Sequence, residues 1–154
     1  MLSRFLMVTT LLFCCSEMLL AKAPATIAEC LLATTGPSDP SLQQRFSRVI
    51  LAAAEPQHRP SAVATDRFAG RVIASLRGKQ LKADQAERLQ AVIIDVLHSA
   101  GVATRRYRDV ISDFKTLLST TANIPSDTAS SLASDLDLIG REVRGPEDLP
   151  LRIE

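Results

Sequence analysis

From residue 26 almost to the end of the chain, apolar residues recur at three- and four-residue spacing, and no sustained two-residue alternation competes with that rhythm. This constrains the chain to helices. The strongest case runs from about Lys82 to Ala100, where Leu89, Val92, Ile93, Val96, Leu97 and Ala100 share one side of a helix closed by Gly101. Upstream, a short helix over Thr26–Thr34 is closed by Gly36-Pro37. The next has Ser38 or Asp39 as N-cap and Pro40 at its first position, turns Leu42, Phe46, Val49, Ile50 and Ala53 inward, and stops before Pro56. Another starts at Ser61 or Thr65 and buries Phe68, Val72, Ile73 and Leu76, with Gly78 in the left-handed position beyond its end. Thr104 is the expected N-cap of a helix whose buried edge carries Tyr107, Val110, Ile111, Phe114, Leu117 and Leu118. The last opens near Pro125-Ser126-Asp127, repeats Ala129, Leu132, Leu136, Ile139 and Val143 in a coiled-coil-like seam, and ends at Gly145-Pro146.

Short connectors favour antiparallel neighbours. The expected fold is therefore all-α, an antiparallel bundle of about four main helices plus a short N-terminal helix. It forms one domain over residues 26–145, followed by an extended tail over 146–154.

Residues 1–25 have a different character. Met1-Leu2-Ser3-Arg4 is short and basic, Phe5 to Cys15 is an apolar run of eleven residues, and Ala21-Lys22-Ala23-Pro24-Ala25 supplies small residues for cleavage. That is the pattern of a secretory signal peptide. A cut after Ala23 would leave Pro24 at the first mature position, so cleavage is placed between Ala25 and Thr26, to within several residues. The competing reading is an uncleaved membrane anchor, but a span needs about 20 consecutive apolar residues and Glu17 interrupts the run. No cysteine follows a small residue, as lipidation of a bacterial lipoprotein requires. The chain is expected to be secreted or periplasmic, and its fourteen arginines against four lysines suit a GC-rich, bacterial coding sequence.

Charge excludes more than it selects. Eighteen basic and seventeen acidic side chains give a net charge of +1. Loss of Arg4, Lys22 and Glu17 with the signal peptide leaves sixteen of each, so no field draws the chain to nucleic acid. Membrane contact is expected only through the leader, if it is retained. The glycines stand singly, so neither a P-loop nor a dinucleotide loop can form, and no paired-cysteine, His-Glu-x-x-His or Gly-x-Ser-x-Gly motif is present. Asp135 and Asp137, two apart on a helix, point to different faces. Neither an enzyme nor a bound metal or organic cofactor is expected.

Four local features remain. Cys30 is the one thiol of the mature chain; it packs with Ile27 and Leu31 on one helical face or forms an interchain disulfide. Arg105, Arg106 and Arg108 crowd the positive end of a helix dipole. Ion pairs along Arg105, Asp109 and Asp113 would offset that cost, or the arginines would hold an anion such as a phosphate, carboxylate or lipid head group. Ile94, about 140° from the Leu89 stripe, and His98, at about 180°, mark a second neighbour or a partner surface. Finally, Leu81-Lys82-Ala83-Asp84-Gln85 resembles the Leu-Thr-x-x-Gln element that opens a helix in periplasmic stress and chaperone proteins of the Spy and CpxP kind, with Lys82 where that element has its capping Thr. The resemblance covers five residues in one copy and implies a periplasmic helical binding protein.

These features converge on an exported, non-enzymatic helical protein that acts by protein–protein interaction or self-association, with an unknown protein or a homodimer mate as partner. The alternative is a carrier holding a small apolar or anionic amphipathic ligand in an interhelical cavity with arginines at its mouth.

Overall fold

In the computed structural model, which describes residues 26–145, every regular element is a helix. The expected signal peptide (1–25) and extended tail (146–154) lie outside the described residues. The helices are α1 (Ile27–Ala33), α2 (Leu42–Ala53), α3 (Ala62–Leu76), α4 (Ala83–Leu97), α5 (Thr104–Thr121) and α6 (Ser126–Arg144). Five are long rather than four, because each of the five longer apolar stripes has its own start and stop.

Several boundaries are set locally. Thr26 and Glu29 form a reciprocal capping box: Thr26 Oγ1 accepts from the Glu29 N–H at 3.1 Å and Glu29 Oε2 from the Thr26 N–H at 3.2 Å. Ser61 caps α3 by accepting from the Ala64 N–H, and Gly78, at φ +74°, takes the left-handed conformation just past its end. At the start of α4, Lys82 has no acceptor to offer, and Gln85 Oε1 takes the Lys82 N–H at 2.9 Å. The five-residue element thus does open a helix, without the side-chain cap a Thr would supply.

Three boundaries differ from expectation. Helix α2 begins at Leu42, not Pro40. Asp39 Oδ1 accepts from the Ser41 hydroxyl and N–H at 2.7 and 2.9 Å, closing a turn ahead of the helix, and these bonds hold the Asp39 carboxyl below its ordinary pKa. Helix α4 stops at Leu97, short of Ala100. The Ser99 hydroxyl donates to the Val96 carbonyl, while Arg144 Nη1 takes the Ser99 and Val102 carbonyls at 3.1 and 2.7 Å, so the connector is held by the far end of α6. Thr104 is the first residue of α5 rather than its cap; Ala103 precedes it and no side chain caps the helix.

Helix α2 packs on α3, α4 on α5, and α5 on α6. The sequential pair α3 and α4 departs from that rule: α3 lies chiefly against α2 and α6, and α4 against α1, α5 and α6. Contacts of Ser61 with Glu142 and of Arg71 with Asp135 give α3 and α6 an antiparallel register. Phe68 and Phe114, with ring centroids 6.1 Å apart and tilted by 45°, join α3 to α5 in the core. Among the described residues no helix is long and apolar enough to cross a membrane.

Candidate functional site

Among the described residues this packing leaves surface grooves, two of which bear on the candidate residues. The first lies between α3 and α6 and has a volume of about 430 Å³. Its walls carry Val63 and Arg67 from α3, and Leu138, Arg141 and Glu142 from α6. Val63 is 80% exposed and Leu138 48%; they are the exposed large hydrophobics of the described residues, and both line this groove. Single exposed apolar residues are ordinary, but two sharing one concavity make a patch.

The charged groups around that patch are unequally engaged. Asp135 is buried, with Oδ2 2.5 Å from Arg71 Nη1, and Arg71 also donates to the Ser131 hydroxyl. Arg141 pairs with Asp137 at 2.8 Å. Glu142 accepts the Ser61 N–H at 2.6 Å and the Ser61 hydroxyl at 3.1 Å, so it anchors the start of α3 through neutral donors. Arg67, exposed on the opposite part of the rim, has no ion pair or hydrogen bond among the described residues. Among the described residues, two rim charges of opposite sign therefore lack a charged partner: Glu142 at one end and Arg67 at the other.

The second groove, about 490 Å³, lies among α1, α2 and α4. Ile27, Val49, Ala52, Ala53 and Ile94 give it apolar walls, with Arg48 as its cation. Gln90 Oε1 accepts the Ala28 N–H at 2.8 Å and ties α1 to α4. Ile94 is half-buried here. His98, exposed at the end of α4, places Nε2 2.8 Å from the Ala53 carbonyl. A carbonyl only accepts, so Nε2 carries the hydrogen. Ile94 and His98 thus both face the C-terminal end of α2.

The remaining sequence candidates sit elsewhere. Cys30 is fully buried, and burial pushes its thiol up to about 11, which leaves little thiolate at neutral pH. Arg105, Arg106 and Arg108 are exposed at the start of α5 and line neither groove. No ion pair among the described residues joins Arg105 to Asp109. Tyr107, between them, turns inward. Its hydroxyl donates to Asp137 Oδ1 at 2.8 Å, and the Arg144 guanidinium lies 4.6 Å over its ring. Burial, and then the bond to Asp137, raise the phenol well above its ordinary pKa. Asp135 and Asp137 do face different neighbours, Arg71 on α3 and Tyr107 on α5. Among the described residues no group of three metal-ligating side chains converges.

Sequence reasoning missed Val63 and Leu138. Their signal was the one that singled out Ile94, an apolar residue off its helix's stripe. No protein-family profile matches this chain, and no curated protein or solved structure is significantly similar to it.

Proposed function

We propose that this chain is an exported, non-enzymatic helical bundle that acts by protein–protein contact, and that the groove between α3 and α6 is its contact surface. One observation carries the reading: Val63 and Leu138, the exposed large hydrophobics of the described residues, lie in the same concavity inside a charged rim. Protein contact surfaces are built this way, with an apolar centre that loses water and a polar rim that sets register. Export follows from the basic, apolar and small-residue segments of 1–25. The test is a photo-crosslinking residue placed at Leu138 in producing cells, with Asp113 on the exposed face of α5 as control. Discrete protein adducts at Leu138 and none at Asp113 support the reading; equal or absent adducts at both sites contradict it.

A second reading has its own observation. The groove among α1, α2 and α4 has apolar walls and one cation, Arg48, which suits the tail and head of an anionic amphipath. A carrier of this kind would yield such a ligand to solvent extraction of the purified protein, and Arg48→Ala would reduce the amount recovered. A ligand-free extract would remove the carrier reading.

A further inference from the structure

The partner that fits the α3/α6 groove best is a second copy of the same chain. We infer that two copies associate through this groove about a twofold axis, an inference that rests on the groove being a protein contact surface. A twofold contact requires a patch complementary to itself, with each feature meeting its complement after rotation. Glu142 and Arg67, without a charged partner among the described residues, meet that requirement. Glu142 lies beside Ser61 at one end, and Arg67 is six residues further along α3, about 9 Å at a helical rise of 1.5 Å per residue. On α6, Asp135 and Glu142 bracket the groove and Leu138 falls between them, while Val63 lies between Ser61 and Arg67 on α3. An axis through the middle of the groove brings each copy's Glu142 onto the other copy's Arg67. It also stacks the Val63 and Leu138 pairs against each other.

The other charges do not oppose this arrangement. Asp135 is neutralised by Arg71 and Arg141 by Asp137, so neither needs a new partner across the interface. Glu142 keeps lone pairs beyond the two that accept from Ser61, so it can take a guanidinium without releasing the start of α3. An all-acidic or all-basic partner would leave one end of the groove facing its own sign, whereas a second copy satisfies both ends at once.

Sedimentation of the full exported chain over a concentration series tests this. The expected result is a reversible dimer, unaffected by reductant because Cys30 is buried. Leu138→Asp, present twice per dimer, should weaken association about a hundredfold or more. Arg67→Glu should weaken it less, and adding Glu142→Arg to that variant should recover association, because the swap restores the pairs with reversed sign. Circular dichroism and melting confirm that each variant is folded. A chain that stays monomeric at every concentration overturns the inference, as does a dimer indifferent to Leu138→Asp. The two levels separate cleanly: a monomeric chain that still gives protein adducts at Leu138 in cells loses its self-partner but keeps its contact surface, and loss of those adducts removes the surface itself.

Discussion

Helix α6 shows two treatments of one helix. Toward α5 it is sealed. Tyr107 reaches Asp137, Arg144 covers the Tyr107 ring and takes two connector carbonyls, and Gly140 leaves room for the phenol to lie against the helix backbone. Toward α3 it is sealed only in part. Arg71 and Asp135 close one stretch, Glu142 anchors Ser61, and beside these contacts Leu138 and Val63 remain in solvent. Both sides of α6 use a bound carboxylate and a nearby arginine, yet one encloses an aromatic ring and the other leaves aliphatic side chains exposed. Polar contacts alone do not separate a structural seam from a contact surface. What separates them is whether the apolar groups they surround are already buried.

The largest expected effect breaks the sealed side. An added Cβ at Gly140 would lie 2.8 Å from Tyr107 Cε2 and Cζ, and the ring is trapped between α6 and Arg144. Gly140→Ala should therefore destabilise the fold by about 3 kcal/mol, the upper part of the range for overpacking, read from the midpoint of chemical denaturation. A change under a third of that would mean Tyr107 can move aside, and the seam would be softer than its geometry implies.

Next comes the closed stretch of the other side. Arg71→Ala leaves the buried Asp135 without its cation. The Arg71 side chain is 39% exposed, so water reaches the pair, and the loss should be about 2 kcal/mol rather than that of a fully buried pair. A thermal melt against wild type measures it.

Tyr107→Phe is milder and sharpens the comparison through pH. Loss of the bond to Asp137 should cost about 1 kcal/mol at neutral pH, because Arg141 still holds that carboxylate. The folded-state pKa of the phenol is raised above its ordinary 10.0, so its contribution is complete below that pH and is lost as pH rises beyond it. The thiol of Cys30, raised from 9.0 to about 11, acts with the same sign over that interval. Wild type should lose stability above about pH 9 through both groups, and Tyr107→Phe should keep only the Cys30 part. Identical alkaline profiles for the two proteins would show that the phenol is not held as the structure places it.

The smallest effect on stability belongs to the open side. Leu138→Asp, on an exposed position, should change stability by less than about 0.5 kcal/mol while weakening association through the groove about a hundredfold or more. That separation is the signature of a surface kept apolar for something other than folding.

Most helix boundaries with local determinants were legible in sequence. The stripe from Ala129 to Val143 is buried throughout, Gly145 ends its helix, and Ser61 and Gly78 bound α3 as their chemistry implies. The starts of α2 and α5 depart for local reasons, the Asp39–Ser41 turn and the uncapped Ala103, whereas the end of α4 departs because a distant residue intervenes. Nothing near Ala100 shows that Arg144 claims the Ser99 and Val102 carbonyls. The pairing of α3 with α6 rather than with α4 is likewise long-range. The groove follows from that pairing. Val63 and Leu138 are 75 positions apart, each an unremarkable apolar residue off its stripe, and only the α3/α6 contact makes them neighbours. Ile94 and His98 were visible as off-stripe positions, but their neighbour, the end of α2, was not.

Whether the α3/α6 groove is covered in its working setting can be measured without knowing the partner. Hydroxyl-radical footprinting compares side-chain labelling of the chain in a concentrated extract of producing cells with that of the purified chain at high dilution. The expected result is protection of Val63 and Leu138 in the first sample and strong labelling in the second, with buried Phe114 weakly labelled in both. Equal, strong labelling of Val63 and Leu138 in both samples would mean that nothing covers the groove, and it would contradict its role as the contact surface.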